Sequence, residues 1–338
     1  MRFHLNKIEH HPIRFAGLLL LLVVLLFLVS LSIGGSSLTL YQYLVPKLLD
    51  DPELVQMVFA EIRLPRALIA TVAGASMGIS GAVMQGLLRN PLASPGLVGS
   101  ASGAALGSVF MLYFGFMAGS SYALPLGGIT GALLAMFLVY LMAGRDAGIL
   151  TLILAGVAIN SIALALVSLI LNLAPSPYAV HEVVLWMLGS VSNHSMEDFW
   201  LIVPGTLLGW ALLLTTGRGL DALTLGEETA QTMGFDLFRL RWVVFIGVAL
   251  AVGSTVSITG TIGFIGLVVP HLLRPLVGYR PSLLIPLSAL GGAIMLLLAD
   301  VALRLFPVGV EIKVGVLTSL VGAPFFLYLI IQTRKTDL

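Results

Sequence analysis

The stretch Ala73–Gly99, AGASMGISGAVMQGLLRNPLASPGLVG, returns 179 residues later as Val252–Gly278, VGSTVSITGTIGFIGLVVPHLLRPLVG. Eight of the 27 aligned positions are identical, where roughly two or three would be expected from so Gly- and Leu-rich a composition. They are Gly74/Gly253, Ile79/Ile258, Gly81/Gly260, Leu88/Leu267, Pro91/Pro270, Leu97/Leu276, Val98/Val277 and Gly99/Gly278. Ser76/Thr255 and Ser80/Thr259 add like-for-like pairs. Matched Pro and Gly positions, not only Leu, favour a duplication over shared membrane composition.

Around these copies lie apolar runs of the length that crosses a bilayer as helix. They fall at about Phe15–Ile33, Pro65–Leu88, Gly96–Phe114, Leu124–Ala143 and Leu150–Leu173. Five more fall at about Phe199–Leu214, Trp242–Ile258, Phe264–Leu276, Leu283–Ala302 and Val314–Gln332. The third and eighth are short or flanked by Pro, so pattern alone supports a count of eight to ten. Unpaired backbone polar groups are too costly in lipid for anything but helices or closed barrels, and continuous runs do not alternate as barrel strands do. The copies begin in the second and seventh spans, an odd separation, so they have opposite orientation. Inverted repeats interrupted by Gly and Pro are a transporter signature. The expected fold is therefore an all-α polytopic membrane protein of about ten transmembrane helices, with spans 2–5 mirrored by spans 7–10. It forms one transmembrane domain over residues 1–338, with a cytoplasmic connection at 217–241.

Composition agrees. The 338 residues are 58% hydrophobic and 10% charged, with a mean hydropathy of +1.06. Average soluble domains carry roughly 25% charged residues. This excludes a soluble enzyme, a disulfide scaffold and a disordered chain. The net charge of +1 argues against nucleic acid as a partner. Cysteine is absent, so there is neither a disulfide nor a thiolate metal site. The 37 glycines suit close helix packing in lipid. The first run follows Arg2, Lys7 and Arg14, as a signal peptide would, but it is longer than a usual signal core and no A-x-A site follows.

A cytoplasmic N-terminus places twelve basic residues inside: Arg2, Lys7, Arg14, Arg89, Arg145, Arg218, Arg239, Arg241, Arg274, Arg280, Arg334 and Lys335. Five fall outside: Lys47, Arg63, Arg66, Arg304 and Lys313. The bias follows the positive-inside rule, puts both termini in the cytoplasm, and leaves the outer five unexplained by topology.

Chemical motifs are few. No Gly-Lys dipeptide occurs, so there is no phosphate-binding loop of that type for ATP. No H-E-x-x-H occurs, and Asp50-Asp51-Pro52-Glu53 reads as a solvated loop. Gly78-Ile79-Ser80-Gly81 has the G-x-S-G form of intramembrane serine proteases, but a nucleophilic serine needs a base within reach. The candidate base, His271, follows Pro270 at a span end, and small residues on a packed helix face are the plainer account. Two polar connections carry more. Gly217–Arg241 holds Leu225-Gly226-Glu227-Glu228, then Ala230, Met233 and Gly234, a short amphipathic helix with apolar residues suited to docking a soluble partner. Asn172–Asp198, with Pro175, Pro177, His181, Glu182 and His194, reads as an outer lid or vestibule rim.

Several stretches resemble the FecCD family of permease subunits, the type II ATP-binding-cassette importers of iron–siderophore, haem and cobalamin. They are Ile62-Arg63-Leu64-Pro65-Arg66, Gly78 through Gln85, Arg89-Asn90-Pro91-Leu92-Ala93-Ser94-Pro95 and Leu225 through Gly234. Gly263–His271, Ala299-Asp300 with Arg304, and Gly322–Phe326 complete the set. The departure is Glu311-Ile312-Lys313-Val314-Gly315, where many members have Pro at the position of Lys313. The resemblance implies a homodimer in the bacterial cytoplasmic (inner) membrane, with a path along its axis and no enzymatic activity of its own. Two cytoplasmic ATPase subunits would hold ATP and Mg, and this chain would bind no cofactor or metal. One soluble substrate-binding protein, periplasmic or lipid-anchored, would deliver the cargo. An iron–siderophore is the first choice of cargo, with haem and cobalamin next. Leu225, Gly226, Glu227, Glu228, Ala230, Met233 and Gly234 would couple to the ATPase. Arg63, Arg66 and Arg304 would receive carboxylates of the binding protein.

A secondary transporter is the rival reading, and it would need a buried carboxylate at mid-membrane. Asp300 is the exception among acids that mostly sit in loops. Its i+4 neighbour Arg304 makes structural pairing the simpler account.

Overall fold

The computed structural model describes residues 12–34, 52–114, 120–144, 148–174, 176–305 and 312–336. Arg2, Lys7, Lys47, Asp50, Asp51, Arg145, Pro175 and Glu311, named above, lie outside the described residues. In chain order the helices are α1 (Pro12–Ser32), α2 (Pro52–Met57), a π-helical segment (Val58–Arg63), α3 (Leu64–Leu87), α4 (Ser100–Tyr113), α5 (Ala123–Ala143) and α6 (Ile149–Asn172). There follow α7 (Pro177–Met187), α8 (Met196–Thr215), α9 (Gly217–Leu223), α10 (Glu227–Thr232), α11 (Leu237–Thr259), α12 (Ile265–Leu273), α13 (Pro281–Leu305) and α14 (Val314–Thr336). No strand occurs among the described residues. Seven helical stretches are long and apolar enough to cross a membrane, and Ser100–Tyr113, Ile265–Val277 and Val314–Tyr328 are shorter apolar ones. Together they occupy the ten runs expected from the sequence, with the third and eighth short as anticipated.

The bundle is built around α3. Of its most apolar stretch 83% is buried, against 17% for α1, the most hydrophobic of the spans. Lipid is as apolar as leucine, so it does not drive leucine inward; close backbone packing of small residues does. Glycines on α3 meet three backbone carbonyls on two helices. A Cβ at Gly74 would overlap the Gly292 carbonyl, one at Gly78 the Ser288 carbonyl, and one at Gly81 the Gly266 carbonyl. The G-x-S-G motif is thereby accounted for: its glycines bring α3 against α12 and α13, and Ser80 is fully buried. Trp210 of α8 donates to Ser76 Oγ at 3.0 Å on another side of α3.

The repeat is visible in the backbone. Pro95–Val98 and Arg274–Val277 are both 3-10 turns, separated by the same 179 residues, and each ends on a left-handed glycine, Gly99 (φ 82°) and Gly278 (φ 59°). Glycine occupies αL without the Cβ penalty, which is why this terminator reads in sequence as a matched Gly. The copies differ upstream. In the first, α3 runs unbroken to Leu87, whereas in the second the chain leaves the helix at Gly260 and re-enters it at Ile265. Phe264 closes that break at φ 67°, and its ring base packs where a Cβ on Gly322 would otherwise sit.

The break is the meeting point of three segments. Ser190 N donates to Thr259 O at 2.7 Å, Thr261 Oγ1 to Met187 O at 2.5 Å, and Gly315 N to Gly189 O at 3.0 Å. The residues after α7, the α11–α12 break and the start of α14 thus satisfy one another's free backbone groups, as non-helical chain at membrane depth must.

Candidate functional site

At the end of the bundle where α3 begins, α2, the π segment and α3 form one helix over 35 residues, Glu53–Leu87. At about 1.5 Å per residue it extends well beyond a hydrocarbon core of about 30 Å. π turns disturb the helical register and often mark functional positions. Arg63 closes this one, and Arg66 follows almost one turn later.

The structure brings Arg66 and Arg304 together on Asp300, and Arg63 and Arg304 together on the end of α1. Arg66 makes a forked contact with Asp300, Nη2 to Oδ1 at 2.7 Å and Nε to Oδ1 at 2.9 Å. Arg304 Nη2 lies 2.7 Å from Asp300 Oδ2. Arg304 also donates through Nη1 to Ser30 O at 2.7 Å and Ile33 O at 2.6 Å, and through Nη2 to Ser30 Oγ at 2.6 Å. Arg63 Nη1 donates to Leu31 O at 2.9 Å and Ser32 O at 3.2 Å, with its guanidinium 4.6 Å from the Phe59 ring centre. The last carbonyls of a helix lack intrahelical donors and carry its negative dipole end. Two arginines from other elements therefore cap α1. The pairing of Arg304 with Asp300 follows the expectation from their spacing, whereas the capping of α1 was not expected from the sequence. Arg63 is only 3% exposed, and the side chain of Arg66, at 22%, is the most open of the three. Arg66 and Arg304 against the one carboxylate of Asp300 leave that group of three a formal charge of +1.

At the opposite end α10 stands between two left-handed glycines, Gly226 (φ 109°) and Gly234 (φ 88°). Leu225 and Met233 are 65% and 56% exposed, and Glu228 is also exposed. Glu227 faces Arg241 of α11 at 3.4 Å. Ala230 corrects the expectation that it joins an outward contact. It is fully buried, in the same core as Leu223 and Leu237, and so anchors the segment to the bundle. The helix is therefore rigidly seated while two large apolar side chains flank it in the open.

The outer stretch expected as a vestibule rim contains α7, started by the Ser176 side chain. His181 is exposed, and His194 lies 3.8 Å from Asp198 in the capping box of α8. No group of three or more His, Cys, Asp or Glu fit to hold a metal occurs among the described residues. Sequence reasoning missed one interaction: Arg274 Nη2 donates to Gln85 Oε1 at 2.5 Å, and Gln85 Nε2 donates to Leu267 O at 3.1 Å. Both residues lie in the repeated stretches, at non-equivalent positions, so matching the copies could not pair them.

An inverted pair of helical repeats, one continuous and one broken, spanning a membrane and carrying a rigid exposed segment at one end, defines a transport permease. The chain belongs to the FecCD transport family, whose model matches residues 21–332. It is 37% identical over 327 residues to the hemin transport system permease protein HmuU of Yersinia pestis, covering 94% of this chain and 96% of that one. It is 36% identical to the Fe(3+)-citrate import system permease protein YfmE of Bacillus subtilis, over 94% of this chain and 96% of that one. It is 39% identical to the vitamin B12 import system permease protein BtuC of Vibrio cholerae, over 84% and 85%. Among solved structures, a metal-chelate-type ABC transporter in an inward-facing conformation superposes with a TM-score of 0.83 at 34% identity, over 94% of this chain and 99% of that one. The protein is thus a multi-pass inner-membrane permease of an ABC importer for a metal chelate or vitamin, and is not itself an enzyme. Its family implies association with an ATPase, a substrate-binding protein and a second permease. The protease reading of Ser80 and the secondary-transporter reading of Asp300 both give way.

Proposed function

We propose that the cargo is an iron–siderophore, with haem or cobalamin the next choices, and that it crosses along the axis of a homodimer of this chain. Two ATPase subunits holding ATP and Mg sit on 217–241, and one binding protein, periplasmic or lipid-anchored, docks at the opposite end over Arg63, Arg66 and Arg304. Both termini are cytoplasmic. Two Bacillus subtilis relatives named as Fe(3+)-citrate permeases are in keeping with iron, beside one relative named for hemin and three named for cobalamin or vitamin B12.

The observation that carries the coupling role is the seating of α10. Ala230 and the Glu227–Arg241 pair hold it to the bundle, while Leu225 and Met233 offer a partner an apolar grip. Motion of the ATPase can be transmitted only through such a stiff contact. Docking at the other end is supported by the two guanidinium groups of Arg66 and Arg304 sharing the single carboxylate of Asp300, a net positive charge that attracts further carboxylates. Rim charges of this kind govern association rate and orientation more than affinity.

The test is uptake into proteoliposomes containing the permease–ATPase complex, with binding protein and ferric siderophore, haemin or cobalamin supplied separately. ATP-dependent accumulation of the ferric siderophore supports the proposal. Accumulation of only haemin or cobalamin reassigns the cargo, and ATP-independent uptake driven by an ion gradient would overturn the coupling scheme.

A further inference from the structure

Beside the coupling segment lies a cavity of about 510 Å³ between the end of α3, α9 and the start of α13. Arg89, Arg274 and Arg280 line it, with Asp221, Leu225 and Tyr279. None of the three arginines forms an ion pair among the described residues. Asp221, the carboxylate on this wall, is already engaged, accepting from Ser282 N at 2.9 Å. Three cations facing one occupied anion in a concave site is an unbalanced arrangement. It favours an anionic guest.

The site is also held in shape. Gln85, 1% exposed, accepts from Arg274 and is itself fixed by the Leu267 carbonyl, so the Arg274 fork is oriented before anything binds. Arg89 (φ 46°) and Tyr279 (φ 61°) are two of the four left-handed residues other than glycine in the described chain, and both line this cavity. Such conformations persist only where the surroundings impose them, and they concentrate at binding sites.

Continuity with the coupling segment indicates the guest. Leu225 belongs both to the cavity wall and to the exposed apolar pair, so a protein seated on Leu225 and Met233 covers the mouth. Beyond Leu225 the surface changes sign, with Glu227 and Glu228 on α10 and the three arginines in the cavity. We infer that the cavity is a second ATPase contact, a basic socket that receives an acidic side chain of the ATPase subunit and fixes its rotation about α10. This rests on the coupling role proposed above. Bidentate capture by a pre-oriented guanidinium supplies direction as well as attraction, which a contact through Leu225 and Met233 alone does not.

The experiment uses the whole transporter. Arg89→Glu with Arg280→Glu changes two exposed side chains and leaves Gln85 and Arg274 intact. The expected result is loss of ATPase from the purified complex, about tenfold or more at moderate salt, with a shallower or inverted salt dependence compared with wild type. Thermal unfolding of the permease should be unchanged. Charge reversal of one Asp or Glu in the ATPase groove should restore retention and uptake. Wild-type retention and uptake in the double variant would overturn the socket. So would retained ATPase with uptake that now fails only in vesicles rich in phosphatidylglycerol, which would reassign the cavity to a lipid headgroup. Leu225→Asp with Met233→Asp is the parallel arm. If that variant too keeps its ATPase, the coupling segment itself is wrongly assigned; if it alone loses the ATPase, only the socket fails.

Discussion

Replacing Asp300 by Asn tests whether the arginine cluster is held by one buried charge. The side chain is 1% exposed and lies within 2.9 Å of nitrogens from both Arg66 and Arg304. The amide keeps the shape and removes the charge, leaving two guanidinium groups against each other. Removing one partner of a buried pair costs about 3–5 kcal/mol. Arg66 can turn partly to water, which argues for the lower end, about 3 kcal/mol or roughly a 150-fold shift in the folding equilibrium. The loss also reaches α1, because Arg304 is one of the two arginines that cap its last turn. The assay is equilibrium unfolding of the purified permease in mixed detergent micelles, with limited proteolysis after α1 as a local readout. A double-variant cycle with Arg304→Gln should give a coupling of about 1–3 kcal/mol. A change below about 0.5 kcal/mol in Asp300→Asn, the range of ordinary surface substitutions, would refute the reasoning.

Gly78→Ala should lower stability by about 1–3 kcal/mol, because its Cβ overlaps the Ser288 carbonyl and α3 and α13 must separate; the same unfolding assay measures it, and a neutral result would mean the helices are not in backbone contact. Arg66→Glu should slow association of the binding protein, most strongly at low salt, while the complex keeps its basal ATP hydrolysis; stopped-flow binding reads this, and a wild-type rate would leave the arginines as structural anchors alone. Cysteine introduced at Glu53 should react with an impermeant reagent on intact cells and cysteine at Glu228 should not, the chain having none of its own; the reverse pattern would invert the topology.

Much of the architecture was legible because it is written in residues with few alternatives. The runs of apolar residues gave the spans, and Gly99 and Gly278 marked the shared terminator since few other residues take that conformation. What did not show was which way a side chain turns. Arg63, Arg66 and Arg304 stood out as basic residues on the wrong side for topology, yet their use in capping α1 depends on Ser30, Leu31, Ser32 and Ile33 arriving from another element. Ala230 lay among exposed neighbours in sequence, and it turns inward only because α10 packs into the core that holds Leu223 of α9 and Leu237 of α11. The central place of α3 was hidden for a different reason. Hydrophobicity ranks residues by their preference for lipid over water, and α1 scores highest although it is the least buried span of the bundle. Position in the bundle is decided by the small residues of α3, which hydropathy scarcely weighs.

The pairing of Arg66 with Asp300 joins positions 234 residues apart in the chain. At about 5–20 residues per second, synthesis leaves roughly 10–50 s between the emergence of the two. During that interval the entry of α3 carries its arginines without their counter-ion, at a cost that falls on a helix already poor in large apolar side chains. The nascent N-terminal half therefore has reason to linger at the insertion machinery, or at the headgroup level, until α13 is delivered. Truncated chains ending before Asp300 should accordingly be recognised and degraded by membrane quality control, so that only completed permeases are available for assembly.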